Sequence, residues 1–122
     1  MDDVLIVGPC AAGKSTLARG LRERGYRAHL VAQEHSGIRD LWRKHAAQVL
    51  VYLDVDIANV QRRGRPDFPE WLHQRQRQRL VHAKTAADCY VDTASLAIPD
   101  VLHRVLTFLT EHNITPVETH AR

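Results

Sequence analysis

The chain has 122 residues and a mass of 13.9 kDa, a length at which one domain buries roughly two thirds of the surface its unfolded form exposes. Apolar residues make up 44% and charged residues 25%, a balance that excludes a disordered, collagenous or coiled-coil chain. Seventeen Lys and Arg against fourteen Asp and Glu leave a net charge of +3, which suits an anionic ligand but lacks the dense basic stripe of a dedicated nucleic-acid binder.

Residues 4–7 are all apolar, as in a buried parallel strand, and Gly8 and Pro9 end the run. The spacing of Leu17, Ala18 and Leu21 predicts a helix over 14–24, closed by Gly25 in a left-handed conformation. A second strand follows at 28–32. Ile38, Leu41 and Trp42, after a Ser36 cap, predict a short helix over 36–45. Residues 49–53 form the clearest strand after the first, and Asp56 caps a helix over 57–63. Gly64, Pro66 and Pro69 make 64–69 an exposed loop. A longer helix over 70–84 is expected to bury Trp71, Leu72, Leu80 and Ala83, with its Arg and Gln residues outside. A fourth strand at 89–93 precedes a last helix with Pro99 in its first turn and Val101, Leu102, Val105, Leu106 and Leu109 inward. Residues 113–122 read as a loose tail.

The alternation predicts an α/β three-layer sandwich in a single domain, 1–122, with a mostly parallel sheet of four strands. Ligands of such sheets bind at the carboxyl ends of the strands, which here carry Gly8, Gln33 with Glu34, Asp54, and the stretch 92–95. No apolar run is long enough to span a bilayer. Asp2 and Asp3 after Met1 replace the basic start of a secretory leader, so the expected compartment is the cytoplasm. Cys10 and Cys89 make no disulfide framework, and neither stands in a zinc-binding spacing with another Cys or His. The eight histidines form no HxxxH or HExxH arrangement and read as surface or packing residues.

Gly8-Pro9-Cys10-Ala11-Ala12-Gly13-Lys14-Ser15, followed by Thr16, satisfies GxxxxGK[ST] without a mismatch. A random match over a chain this long has a probability of about 0.5% at average residue frequencies, and the match falls between a strand and a helix. The spacing has a chemical reason. Backbone N–H groups of the loop and the free N-terminus of the helix converge on one point and cradle phosphates. Gly8 and Gly13 permit the turn, Lys14 adds a cation for the β- and γ-phosphates, and the Ser15 hydroxyl is a hard oxygen ligand for magnesium.

Residues 4–16 resemble the start of a P-loop NTPase, and the remainder is similar to its small-molecule and nucleotide kinase branch, which includes the shikimate, adenylylsulfate and adenylate kinases. The resemblance rests on the phosphate loop, on 49–54 followed by Gln61-Arg62-Arg63-Gly64-Arg65-Pro66, and on 87–93. No NKxD sequence, the guanine-reading motif of GTPases, occurs. The resemblance implies an ATP- and Mg2+-dependent phosphotransferase acting on a small metabolite or nucleotide. It implies that Glu34 positions magnesium or accepts the acceptor's proton, that Arg63 and Arg65 close over the transferred phosphoryl group, and that 96–99 shelve the adenine. Asp54, ending an apolar strand, either holds magnesium with Ser15 or only terminates the strand. The segment before Val49, where this branch builds much of its acceptor site, is short. The alternative is therefore a nucleotide-binding regulatory module, or a slow ATPase, without a phosphoryl acceptor. Seven basic and two acidic residues between Arg62 and Lys84 read as a solvated helix face, because the Arg-Gln alternation spreads the charge around the helix.

Overall fold

The computed structural model describes residues 3–116. The first apolar run becomes β1 (Asp3–Val7), which pairs in parallel with both β2 (Arg27–Leu30) and β3 (Val49–Asp54); β4 (Cys89–Asp92) adds in parallel to β3. The order is β2-β1-β3-β4. Sequence character follows position. The central β3 is buried at every residue and β1 at all but its first, whereas the edge strand β4 alternates buried and exposed residues.

Because successive strand residues point to opposite faces, two cores form. Val4 and Ile6 join Val49, Val51 and Leu53 on one face, covered by α1 (Lys14–Glu23), α2 (Ile57–Arg62) and α5 (Ile98–Glu111). Leu5 and Val7 join Leu50 and Tyr52 on the other, covered by Leu80 and Ala83 from the segment carrying α3 (Glu70–Arg79) and α4 (Val81–Ala86). The result is helices on both faces of an open parallel sheet. Leu17, Ala18 and Leu21 of α1 are buried, and Gly25 closes that helix at φ 88°. Gly20 lets α5 approach, since a Cβ there would stand 3.1 Å from Leu102 Cδ2. Burial of each large apolar side chain in these layers contributes roughly 1.5–3 kcal/mol.

Four expectations give way. Residues 36–45 form no α-helix; single 3-10 turns occupy Gln33–His35 and Leu41–Lys44, and Ile38 is 55% exposed. The buried Gln33 amide donates to Ile38 O and accepts from Trp42 N, and Asp40 takes a left-handed φ of 58°, so this backbone is satisfied without a helical ladder. The helix expected over 70–84 breaks at Leu80, and Trp71 is 62% exposed while His73 and Gln76 are buried. Its inward face meets the loop after β1 and the Gln33–His35 turn, a polar surface that selects polar partners. Asp56 stands at the N-cap position of α2, yet its carboxylate accepts from the Asn59 amide instead of a helix N–H. The tail expected to be loose from Asn113 begins with Ile114 buried against the core and its N–H donating to Leu109 O; residues 117–122 lie outside the described residues. Among the described residues no helix is long and apolar enough to cross a membrane.

Candidate functional site

The site is built where β1 ends. Gly8 leaves the strand at φ 155°, and a Cβ there would fall 2.2 Å from Leu53 O. Only glycine lets the loop start this close to β3. Ala11 (φ 63°) and Gly13 (φ 92°) then take left-handed conformations, an alternation that turns successive backbone N–H groups toward one side. No side chain caps α1, and its first turn carries no acid. The N–H groups of Lys14, Ser15 and Thr16 lie in that first turn, where no intrahelical partner exists. Nothing stands within 4 Å of a Cβ placed on Gly13, so the cradle is open on that side.

Lys14 folds back over the loop. Its ammonium donates to Gly8 O at 2.8 Å and Pro9 O at 2.9 Å, and pairs with Glu34 Oε2 at 2.9 Å. Glu34 reaches it from the turn after β2, and its side chain is 5% exposed. Glu34 Oε1 is buried with no hydrogen-bond partner, an arrangement that costs free energy unless a ligand completes it. The structure thus joins two sequence-predicted residues twenty positions apart.

Arg63 and Arg65 flank the α2 exit. Arg63 Nη1 donates to Ala11 O at 2.8 Å and Thr93 Oγ1 at 3.1 Å, and Nη2 donates to Thr93 O at 2.6 Å. Arg63 therefore bridges the loop after β1 and the end of β4. Arg65 lines two clefts that meet at the loop. One, of about 420 Å³, is bounded by Cys10, Lys14, Ser15, Thr16, Glu34 and His35. The other, of about 890 Å³, runs from Ala11, Gly13 and Thr16 to Leu96, Ala97, Ile98 and Pro99.

Asp54 is not brought to the loop. Its carboxylate accepts from Tyr90 OH at 2.6 Å and Val55 N at 3.0 Å, with Arg77 and Lys84 each at 3.5 Å, and it lines neither cleft. The alternation of β3 aims it at the face covered by α3 and α4. There it joins Tyr52 and Tyr90, whose rings stack at 5.8 Å. Burial, followed by the hydrogen bond to Asp54, pushes the Tyr90 hydroxyl up to about 12.

The sequence does not single out Gln76, Thr93 or His73 as site residues, although Thr93 falls in the strand-end stretch 92–95. Gln76 accepts from Cys10 N at 3.0 Å and donates to Cys10 Sγ at 3.1 Å, holding the loop from α3. Thr93 anchors Arg63 and is itself fixed by donating its hydroxyl to Asp54 O at 2.8 Å. His73 is buried with neither ring nitrogen paired, and burial, then the neighbouring Arg77, lowers its pKa. Gln76 and His73 fall in a segment whose polar composition reads as solvated; only the packing of α3 against the Gln33–His35 turn shows otherwise. No protein-family model matches this chain, and no match to a curated protein is found.

Proposed function

We propose that this chain is a P-loop protein that binds ATP with Mg2+ and transfers the terminal phosphoryl group to a small metabolite or nucleotide. One observation carries the reading: a GxxxxGK[ST] loop with left-handed Ala11 and Gly13 opens onto an uncapped helix N-terminus while Lys14 lies across the loop mouth against Glu34.

The residues present fit the nucleotide. Open N–H groups at the start of α1, with no acid in the first turn, suit the phosphates, and Lys14 exchanges its loop carbonyls and Glu34 for phosphate oxygens. The cleft wall at 96–99 supplies an apolar shelf, and the absence of NKxD favours adenine. Ser15 and Glu34, which line the same cleft, would hold magnesium; Asp54, committed to Tyr90, Arg77 and Lys84, is left out. The metal would neutralise phosphate charge. Arg65 reaches the same space from the α2 exit, and Arg63 sets the loop height through Ala11. In the alternative role, a Glu34 released by Lys14 and not holding magnesium accepts the acceptor's proton.

A second reading, a nucleotide-binding regulatory module without an acceptor, is favoured by the segment between β2 and β3. It holds only two 3-10 turns and offers little platform for a second substrate. The test is a titration with magnesium-ATP and magnesium-GTP, followed by ADP release against a library of metabolites and nucleotides. ATP is expected to bind at least as tightly as GTP, with one acceptor class stimulating ADP release. Absence of ATP binding overturns both readings; binding without stimulation by any acceptor favours the second.

A further inference from the structure

We propose that Cys10, Glu34 and His35 form a binding site for a borderline-soft divalent cation, zinc, at the mouth of the phosphate loop. This site shares Glu34 with the magnesium position proposed above but takes its other two ligands, Cys10 and His35, from outside it, and it needs no nucleotide.

The sequence hides it, because Cys10 and His35 are twenty-five positions apart. The fold closes that gap: β1 and β2 are adjacent and parallel, so the loop after one and the turn after the other share an edge of the cleft. Cys10 Sγ lies 3.5 Å from His35 Nε2, which lies 3.7 Å from Glu34 Oε2, and one ligand atom from each residue falls within 4.8 Å of the others. A tetrahedral zinc with bonds of about 2.3 Å to sulfur and about 2.0–2.1 Å to nitrogen sets its sulfur and nitrogen ligands about 3.5 Å apart. The Cys10–His35 separation already has this value. Thiolate, imidazole and carboxylate are ligands zinc accepts together, whereas magnesium and calcium take oxygen.

Two further observations point to a ligand. Glu34 Oε1 is buried without a partner, so the carboxylate has coordinating capacity that the protein leaves unused even while Oε2 serves Lys14. Gln76 grips Cys10 from both sides, donating its amide N–H to Sγ and accepting from the backbone N–H, which is the outer support that orients a metal-binding sulfur. The His35 side chain is 58% exposed, giving an entry path, and the cleft leaves the fourth position open to water or an anion. Binding forms the sulfur–zinc bond and releases the thiol proton to solvent. It draws Glu34 away from Lys14, whose remaining partners are the carbonyls of Gly8 and Pro9.

The test is a titration of the reduced full chain with Co2+, followed by displacement with Zn2+. One equivalent of cobalt is expected to give a sulfur-to-cobalt charge-transfer band with tetrahedral ligand-field bands, both bleached by zinc. Competition against a chromophoric chelator is expected to show Cys10→Ser and His35→Ala each weakening zinc at least about tenfold, while Cys89→Ser keeps the band. Should Cys10→Ser fail to fold, His35→Ala, at an exposed position, decides. A wild type without the charge-transfer band, loss of the band in Cys89→Ser alone, or His35→Ala binding zinc as tightly as wild type overturns the proposal.

Discussion

Replacing Lys14 by Ala tests the site through both stability and affinity. The Lys14 and Glu34 side chains are 13% and 5% exposed, with 2.9 Å between their charged atoms. Truncation therefore leaves a buried carboxylate with no cation, and its Oε1 already lacks a partner. Stripping one member from a buried pair costs roughly 3–5 kcal/mol; the loop mouth opens on a cleft, so about 3 kcal/mol is expected here. With a urea slope of roughly 1–3 kcal/mol per molar, the unfolding midpoint falls by about 1 M or more at neutral pH. Adding Glu34→Gln removes the orphaned charge, and the double variant is expected to recover most of that loss. Affinity behaves differently. Either variant lacks the loop cation, so magnesium-ATP is expected to bind about 10- to 100-fold more weakly in both, worth roughly 1.4–2.7 kcal/mol. Urea denaturation and calorimetric titration of wild type, Lys14→Ala, Glu34→Gln and the double variant form a closed cycle. Unchanged stability in Lys14→Ala refutes the buried pair, and unchanged ATP affinity refutes the phosphate cradle.

Three other perturbations follow from the geometry. Gly8→Ala drives a Cβ to 2.2 Å from the Leu53 carbonyl oxygen at φ 155°, whereas Gly13→Ala meets nothing within 4 Å at φ 92°; strain with overpacking costs the first about 4 kcal/mol and left-handed strain alone costs the second about 1–2 kcal/mol, so thermal midpoints within a degree of each other would contradict the loop's approach to β3. Arg65→Ala is expected to lower acceptor-stimulated turnover about 100-fold with ATP affinity little changed if, as proposed, its contact belongs to the transferring phosphoryl group, while Arg63→Ala, which frees Ala11 and Thr93, is expected to weaken ATP binding and turnover together; equal effects on both quantities in both variants would rule out the division of labour. His73 is held neutral by burial below its ordinary pKa of 6.5, so between the folded and unfolded values the unfolded chain binds more protons and stability declines as pH drops below about 6.5; His73→Gln is expected to flatten this part of the thermal midpoint-versus-pH curve, and a wild-type curve as steep as that of the variant would show that His73 does not titrate with unfolding.

The α/β alternation, from which a parallel sheet follows, and the glycine-set turn at 8–13 were legible in the residues because each rests on local signals. An all-apolar run at 4–7, the three- and four-residue spacing of Leu17, Ala18 and Leu21, and glycines at 8 and 13 specify their conformations over a few residues, and the helix that must follow Gly13 is inherent in the motif. What lay beyond reach depends on which surfaces meet. Trp71 looks like a core anchor by composition and is exposed, while Gln76 looks solvated and is buried, because α3 packs against polar loop edges. Ile38 has helical spacing, but Gln33 satisfies the local backbone and no helix forms. The sequence places both Asp54 and Glu34 at strand ends, but Asp54 ends β3 while Glu34 lies in the turn after β2: the pleat of β3 turns Asp54 toward α3 and α4, whereas that turn brings Glu34 to Lys14. Cys10 and His35 belong to different loops until β1 and β2 pair. Sequence alone determined most of the elements and the glycine-set turn at 8–13; tertiary structure decided which side chains surround that turn, because a strand's pairing and facing are set by every layer packed against it.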